Sequence, residues 1–99
     1  MKLINRGTEG EVMLEGRITA DNAPELEKAL LTLVDRFDVL ILNFKDVKYI
    51  SSAALRVLKV LFVQMRKKGG ALKLTEVNDM IMEVFELTGF AGVFGLGRD

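Results

Sequence analysis

The chain has 99 residues, 49% of them hydrophobic and 28% charged, with a single proline, which predicts one folded domain over residues 1–99. Its 14 basic and 14 acidic residues cancel, so no charge excess predicts binding to nucleic acid or to an anionic membrane. No apolar run is long enough to predict insertion into a membrane. The absence of cysteine and histidine excludes disulfides, thiolate or imidazole metal sites, and Ser-His catalysis.

The first third of the chain predicts a β-hairpin followed by a helix. Residues 2–5 and 11–14 are short candidate strands, and the glycines between them suit a turn. Asn22 is a candidate N-cap, Pro24 lies in the first turn, and Glu25 follows the cap by three residues as in a capping box.

The middle third predicts a buried strand and a long helix. Residues 39–44 are apolar at both alternating positions except for Asn43, which predicts a central strand with helices on both faces. Apolar residues then recur at helical spacing from Leu55 to Met65. The basic residues 66–68 complement the negative end of this helix, and the two glycines that follow end it.

The last third predicts another strand and a third helix. Residues 71–77 alternate between apolar and polar, as in a half-buried strand. Asn78 is the expected N-cap of a helix whose apolar stripe runs from Met80 to Leu87, with Gly89 as its stop.

The end of the chain is apolar, and its pattern is less specific. Phe90 is expected to fold back on the third helix. Residues 92–97 carry three apolar side chains between glycines, and they suit a short strand, a helical turn or a contact surface.

The order of these elements predicts an α/β or α+β fold. The opening hairpin is antiparallel, whereas the step from residues 39–44 through the long helix to residues 71–77 requires a parallel crossover. The sheet is therefore expected to be mixed.

Two adjacent hydroxyl groups, of Ser51 and Ser52, lie where the central strand gives way to the long helix. Ser52 directly precedes the apolar helical run, so it is a natural N-cap. The same position favours a phosphate, because the free N–H groups and the dipole of a helix N-terminus stabilise anions. Ser52 thus has two interpretations, a structural cap and a reversible phosphorylation site.

Nothing in the sequence predicts an enzyme. The glycines at positions 7, 10 and 16 lack the spacing and the strand-to-helix context of a phosphate-binding loop. No nucleophile has a candidate base, so we expect a binding protein without catalytic residues, metal or cofactor.

These features together resemble a STAS domain, and most of all the bacterial anti-sigma factor antagonists. The resemblance rests on residues 44–55 (FKDVKYISSAAL), on the glycine pair after the helix and on residues 86–90 (ELTGF), and it covers nearly the whole chain. It implies a STAS-like mixed sheet of four to five strands packed with three to four α-helices. It also implies a cytoplasmic protein whose Ser52 is phosphorylated by its partner, an anti-sigma factor that is an ATP-binding serine kinase, and reset by a serine phosphatase.

Two departures from the family's Asp-Ser-Ser/Thr-Gly-Leu signature matter for the site. Ser51 stands in place of the acidic residue and Ala54 in place of the glycine, and Thr19 replaces an aspartate often found in a nearby loop. Both missing acids lie on the family's docking face. By resemblance, the partner-binding residues are Thr19, Ser51, Ala53, Ala54, Arg56 and Lys59.

Three functions fit the resemblance. The first is an anti-sigma factor antagonist that works by partner switching through Ser52. The alternative is a non-switching STAS subunit of a bacterial lipid-transport ATPase, which the loss of both acids favours because it needs no kinase-docking charges. A stressosome-like assembly is a third option, and the sequence does not determine the oligomeric state.

Overall fold

Four strands form one mixed sheet in the computed structural model, which describes residues 1–93. The strands are β1 (Lys2–Arg6), β2 (Glu9–Ile18), β3 (Val39–Ile50) and β4 (Ala71–Thr75). The helices are α1 (Ala23–Val34), α2 (Ser52–Lys67), α3 (Asp79–Thr88) and α4 (Phe90–Val93). The strand order is β1-β2-β3-β4, with β1 antiparallel to β2 and the other neighbours parallel. The predicted mixed sheet and fold class are confirmed.

The opening hairpin is also confirmed, and its second strand is longer than predicted. Gly7 adopts a φ of 79° in the turn, a conformation that favours glycine. β2 continues to Ile18, beyond the end of its pairing with β1, because β3 pairs with its other edge. A register shift near Gly16, where φ is 75°, marks a bulge in this extension.

The start of α1 differs from the prediction. Asn22 occupies the N-cap position, but its side chain accepts from the Thr19 N–H at 2.8 Å and donates to the Arg17 carbonyl at 2.7 Å. The expected capping box with Glu25 is wrong, because Asn22 already has helical backbone angles and its side chain ties the helix to the preceding loop. Pro24 lies in the first turn as predicted.

The core uses one face of β3. Leu40, Leu42 and Phe44 are fully buried, whereas the alternating residues Val39, Ile41 and Asn43 are half-buried. The half-buried face mixes apolar and polar side chains, and on it the Asn43 amide donates to the Glu11 carboxylate at 3.1 Å. The prediction of helices on both faces is therefore wrong, since side chains of the adjacent strands shield a central strand even where no helix covers it.

The boundaries of α3 follow the predicted signals. Asn78 Oδ1 accepts from the Ile81 N–H at 2.8 Å, and Gly89 ends the helix with a φ of 82°. The Phe90 ring stacks on Phe85 with 6.3 Å between centroids, which confirms that it folds back. Residues 94–97 of the tail lie outside the described residues.

The predicted apolar stripe of α3 is wrong at both ends. Met80 is 56% exposed and Leu87 is 80% exposed, whereas Ile81 and Phe85 are buried. Phe85 meets Phe44 edge-to-face with 6.0 Å between ring centroids, so this contact sets the rotation of the helix.

None of the helices within residues 1–93 is both long and apolar enough to cross a membrane.

The basic end of α2 contacts α1. The helix ends as predicted, with Gly69 at a φ of 80° and the Gly70 N–H bonded to the Met65 carbonyl at 2.8 Å. The Lys68 ammonium then donates to the carbonyls of Val34 at 2.6 Å and Phe37 at 2.9 Å. Lys68 therefore binds the last carbonyl of α1 and a carbonyl of the loop that follows it, whereas the prediction had Lys68 complement the end of α2.

We expect Lys68→Met to lower the free energy of unfolding by about 1 kcal/mol, because two carbonyls lose a charged donor and gain water in exchange. Urea denaturation measures the difference. The adjacent exposed substitution Lys67→Met is the control and should change stability by less than about 0.5 kcal/mol. Equal stability of the two variants would show that the Lys68 hydrogen bonds contribute nothing.

Candidate functional site

The predicted site residues converge on the carboxyl ends of β2 and β3. These parallel strands end at the paired residues Ile18 and Ile50. The next residues, Thr19 and Ser51, therefore emerge side by side, and the Ser51 N–H donates to the Ile18 carbonyl at 2.9 Å. This edge is where parallel sheets commonly place binding residues.

Ser51, and not Ser52, caps α2. Its backbone is extended, with φ −97° and ψ 173°, and its hydroxyl accepts from the Ala54 N–H at 3.4 Å. The assignment of the cap to Ser52 is therefore wrong by one residue. The reason is tertiary: the hydrogen bond to Ile18 keeps Ser51 in the line of the strand, so the helix begins only at Ser52.

The Ser52 hydroxyl is consequently left out of the cap. Ser52 is the first residue of α2 and is exposed. Its hydroxyl makes no hydrogen bond within residues 1–93. An enzyme can reach this oxygen without breaking a structural contact.

The two alanines after Ser52 differ in accessibility. Ala53 is half-buried, whereas Ala54 is only 2% exposed and belongs to the core. Two residues along an α-helix turn the side chain by about 200°, which directs Ala54 away from the Ser52 face. Ala54 is therefore not available as a partner contact, contrary to our expectation.

Arg56 and Lys59 lie on the same exposed face of α2 as Ser52. Together with Val63 they follow the spacing i, i+4, i+7, i+11, which keeps all four side chains on one line. We call these four residues, Ser52, Arg56, Lys59 and Val63, the α2 stripe. α2 has 16 residues and contains no aspartate or glutamate, so the only charged residues of the stripe, Arg56 and Lys59, are both cationic.

Sequence analysis missed a further pair of residues at this edge. The Arg17 guanidinium lies 4.4 Å from the centroid of the Tyr49 ring, and Tyr49 is 40% exposed. The two residues are paired across β2 and β3, one position before Ile18 and Ile50. Only the strand register brings them together, so no local pattern could have revealed the contact.

Among the described residues, no group of three or more acidic side chains could hold a metal ion. A cavity of about 370 Å³ opens between β2 and α1, with Leu14, Leu26 and Ala29 among its apolar lining and Glu15 and Arg17 at its polar part. Because this cavity is lined by both acidic and basic side chains, its charge does not indicate which class of ligand it would bind.

Sequence comparisons identify relatives with a regulatory role. A family model described as the STAS domain matches residues 3–99. BtrV of Bordetella bronchiseptica, whose name assigns it as an anti-sigma factor antagonist, is 38% identical over 82 residues, which are 82% of this chain and 71% of BtrV. The anti-sigma-B factor antagonist of Bacillus subtilis is 30% identical over 86 residues, which are 87% of this chain and 79% of that protein.

The fold is shared with solved structures of the anti-sigma factor antagonist SpoIIAA. Its unphosphorylated form matches with a TM-score of 0.81 and 14% identity, over 92% of this chain and 82% of that chain. The phosphorylated form of Bacillus SpoIIAA matches with a TM-score of 0.74 and 14% identity, over 94% of this chain and 86% of that chain. At this identity the likeness establishes the fold.

Proposed function

The chain belongs to the STAS domain family, and we propose that it is an anti-sigma factor antagonist that works by partner switching. Unphosphorylated, it docks on an anti-sigma factor and thereby frees the sigma factor in the cytoplasm. Phosphorylated at Ser52, it is released. The observation that carries the site assignment is that the Ser52 hydroxyl is exposed and makes no structural hydrogen bond within the described part of the chain.

The relatives support this function over the alternative of a transporter subunit. Both curated relatives are named as antagonists of anti-sigma factors. A permanent subunit of a lipid-transport ATPase would have no need of an accessible hydroxyl beside a separate capping serine. The replacement of both acids by Thr19 and Ser51 is the one feature that favours that alternative.

The proposed partner is an anti-sigma factor that is also a serine kinase. It transfers the γ-phosphoryl group of ATP to Ser52 Oγ, so that an O–P bond forms while ADP and the hydroxyl proton leave. A serine phosphatase reverses the modification by hydrolysis. The antagonist itself supplies no catalytic group in this scheme.

The proposed docking face comprises the accessible residues at the carboxyl edge and on the α2 stripe. It is formed by Thr19, Ser51, Ser52, Ala53, Arg56 and Lys59. None of these six residues is acidic, and two are cationic. Ala54 supports the face from the core and does not contact the partner.

Phosphorylation would disrupt this interface directly. It adds about −1.5 to −2 charge at neutral pH, which is more than a single cation neutralises, and taking the remaining charge out of water costs several kcal/mol. The free protein tolerates the same group, because the phosphate is exposed and lies at a helix N-terminus. The modification therefore acts on the complex and leaves the fold intact.

We expect Ser52→Asp to recover at least about tenfold less anti-sigma kinase than wild type, because even a single added charge should cost the complex over about 1.4 kcal/mol. The measurement is affinity capture from a lysate of the source organism, with bound proteins identified by mass spectrometry. Thr8→Asp is the matched control, since it places the same charge in the hairpin turn at the opposite edge of the sheet.

Titration calorimetry with the purified kinase then gives the affinity of each variant. Equal affinity of wild type and Ser52→Asp would refute the switch. Equal capture of a transporter ATPase by both proteins would instead identify a structural subunit.

A further inference from the structure

Ser52 and Arg56 are positioned to contact each other once Ser52 carries a phosphate. They are four residues apart on the exposed face of α2, a spacing that places Cβ atoms about 5–6 Å apart. A phosphoserine and an arginine side chain together span that separation easily. Neither side chain has a hydrogen bond or an ion pair within residues 1–93.

No carboxylate on the same helix competes for Arg56. α2 carries Arg56, Lys59, Arg66 and Lys67 and has no acidic residue. A guanidinium with no anionic neighbour one turn away is available for the first anion that appears there. The phosphate on Ser52 would be that anion.

We propose that the phosphate on Ser52 is held by Arg56 of the same molecule. The guanidinium donates two parallel N–H bonds to phosphate oxygens, the geometry in which arginine binds this group best. This inference rests on the proposed phosphorylation of Ser52 and deepens it, because it assigns an intramolecular acceptor to the modification.

The pair gives phosphorylation a second effect on docking. Arg56 belongs to the proposed docking face, and pairing with the phosphate withdraws its donors from a partner. The partner then loses a cationic contact and meets a bulky anionic group at the same point. Release is achieved without any change in the fold, because both residues lie on one rigid helix.

The test uses the full chain with phosphoserine incorporated at position 52 during synthesis, so that no kinase is required. The ³¹P chemical shift is followed against pH in the wild type, in Arg56→Gln and in Lys59→Gln. Lys59→Gln removes the same charge from the same stripe, but one turn farther from the phosphate.

We expect the second ionisation of the phosphate to occur at a lower pH in the wild type and in Lys59→Gln than in Arg56→Gln. Phosphorylation should also raise the thermal midpoint of the wild type by about 2 °C more than that of Arg56→Gln. Arg56→Lys, which keeps the charge without the planar fork, should be intermediate.

Identical ³¹P titrations for Arg56→Gln and Lys59→Gln would overturn the proposal. That result would leave the switch itself standing, since the affinity of Ser52→Asp for the kinase is measured separately. Conversely, the cellular kinase could modify a residue other than Ser52. The contact between the phosphate and Arg56 in the synthetic phosphoprotein would then still hold, and only the switch at Ser52 would fail.

Discussion

Ser52→Ala is expected to incorporate no phosphate from ATP in the presence of the captured anti-sigma kinase, whereas Ser51→Ala should still be phosphorylated. The two hydroxyls are adjacent in sequence but differ in role. Ser51 Oγ accepts the Ala54 N–H at 3.4 Å and is half-buried, while Ser52 is exposed and begins the helix. Incorporation of radiolabelled phosphate, with the site mapped by mass spectrometry, distinguishes them.

Loss of the cap must be separated from loss of the acceptor in this experiment. Ser51→Ala should destabilise the protein by about 0.5–1 kcal/mol, the usual cost of removing an N-cap side chain. Circular dichroism at the assay temperature establishes that both variants are folded. Our assignment would be contradicted if Ser52→Ala were phosphorylated and Ser51→Ala were not, because the acceptor would then be Ser51.

Phe85→Ala is expected to produce the largest loss of stability, about 3–4 kcal/mol in the free energy of unfolding. The Phe85 side chain is fully buried, and its ring contacts both Phe44 and Phe90. Truncation leaves a cavity between α3 and β3 that the surrounding side chains fill only in part. Urea denaturation followed by circular dichroism measures the loss.

Leu87→Ala provides the matched control on the same helix. Leu87 is 80% exposed, so its truncation should change stability by less than about 0.5 kcal/mol. A loss comparable with that of Phe85→Ala would mean that Leu87 is covered in solution, and the orientation of α3 would then be incorrect.

The proposed docking face differs in charge from the one that the family signature implies. By the family resemblance, Thr19 and Ser51 replace acids, and Arg56 and Lys59 follow on the α2 stripe. Charge complementarity across an interface governs the association rate and the choice of partner. The proposed anti-sigma factor partner therefore needs no cationic pocket for a carboxylate at these positions.

The sequence by itself determined the elements whose signals are local. Glycine conformation specifies the hairpin turn at Gly7 and the ends of α2 and α3, and the Asn78 side chain begins α3 through a bond to a residue three positions away. These interactions span a few residues, so composition and spacing reveal them. The family resemblance of residues 44–55 is equally a property of contiguous sequence.

Only the tertiary structure decided which side chains are accessible at the site. The bond from Ser51 to Ile18 fixes the start of α2, and this start leaves Ser52 free and turns Ala54 into the core. The Arg17–Tyr49 contact depends in the same way on the register between two strands that are distant in sequence. Propensity and spacing do not reveal which side chains are accessible, because accessibility is decided where segments distant in sequence meet. In a strand, a shift of one residue is enough to turn a side chain to the opposite face.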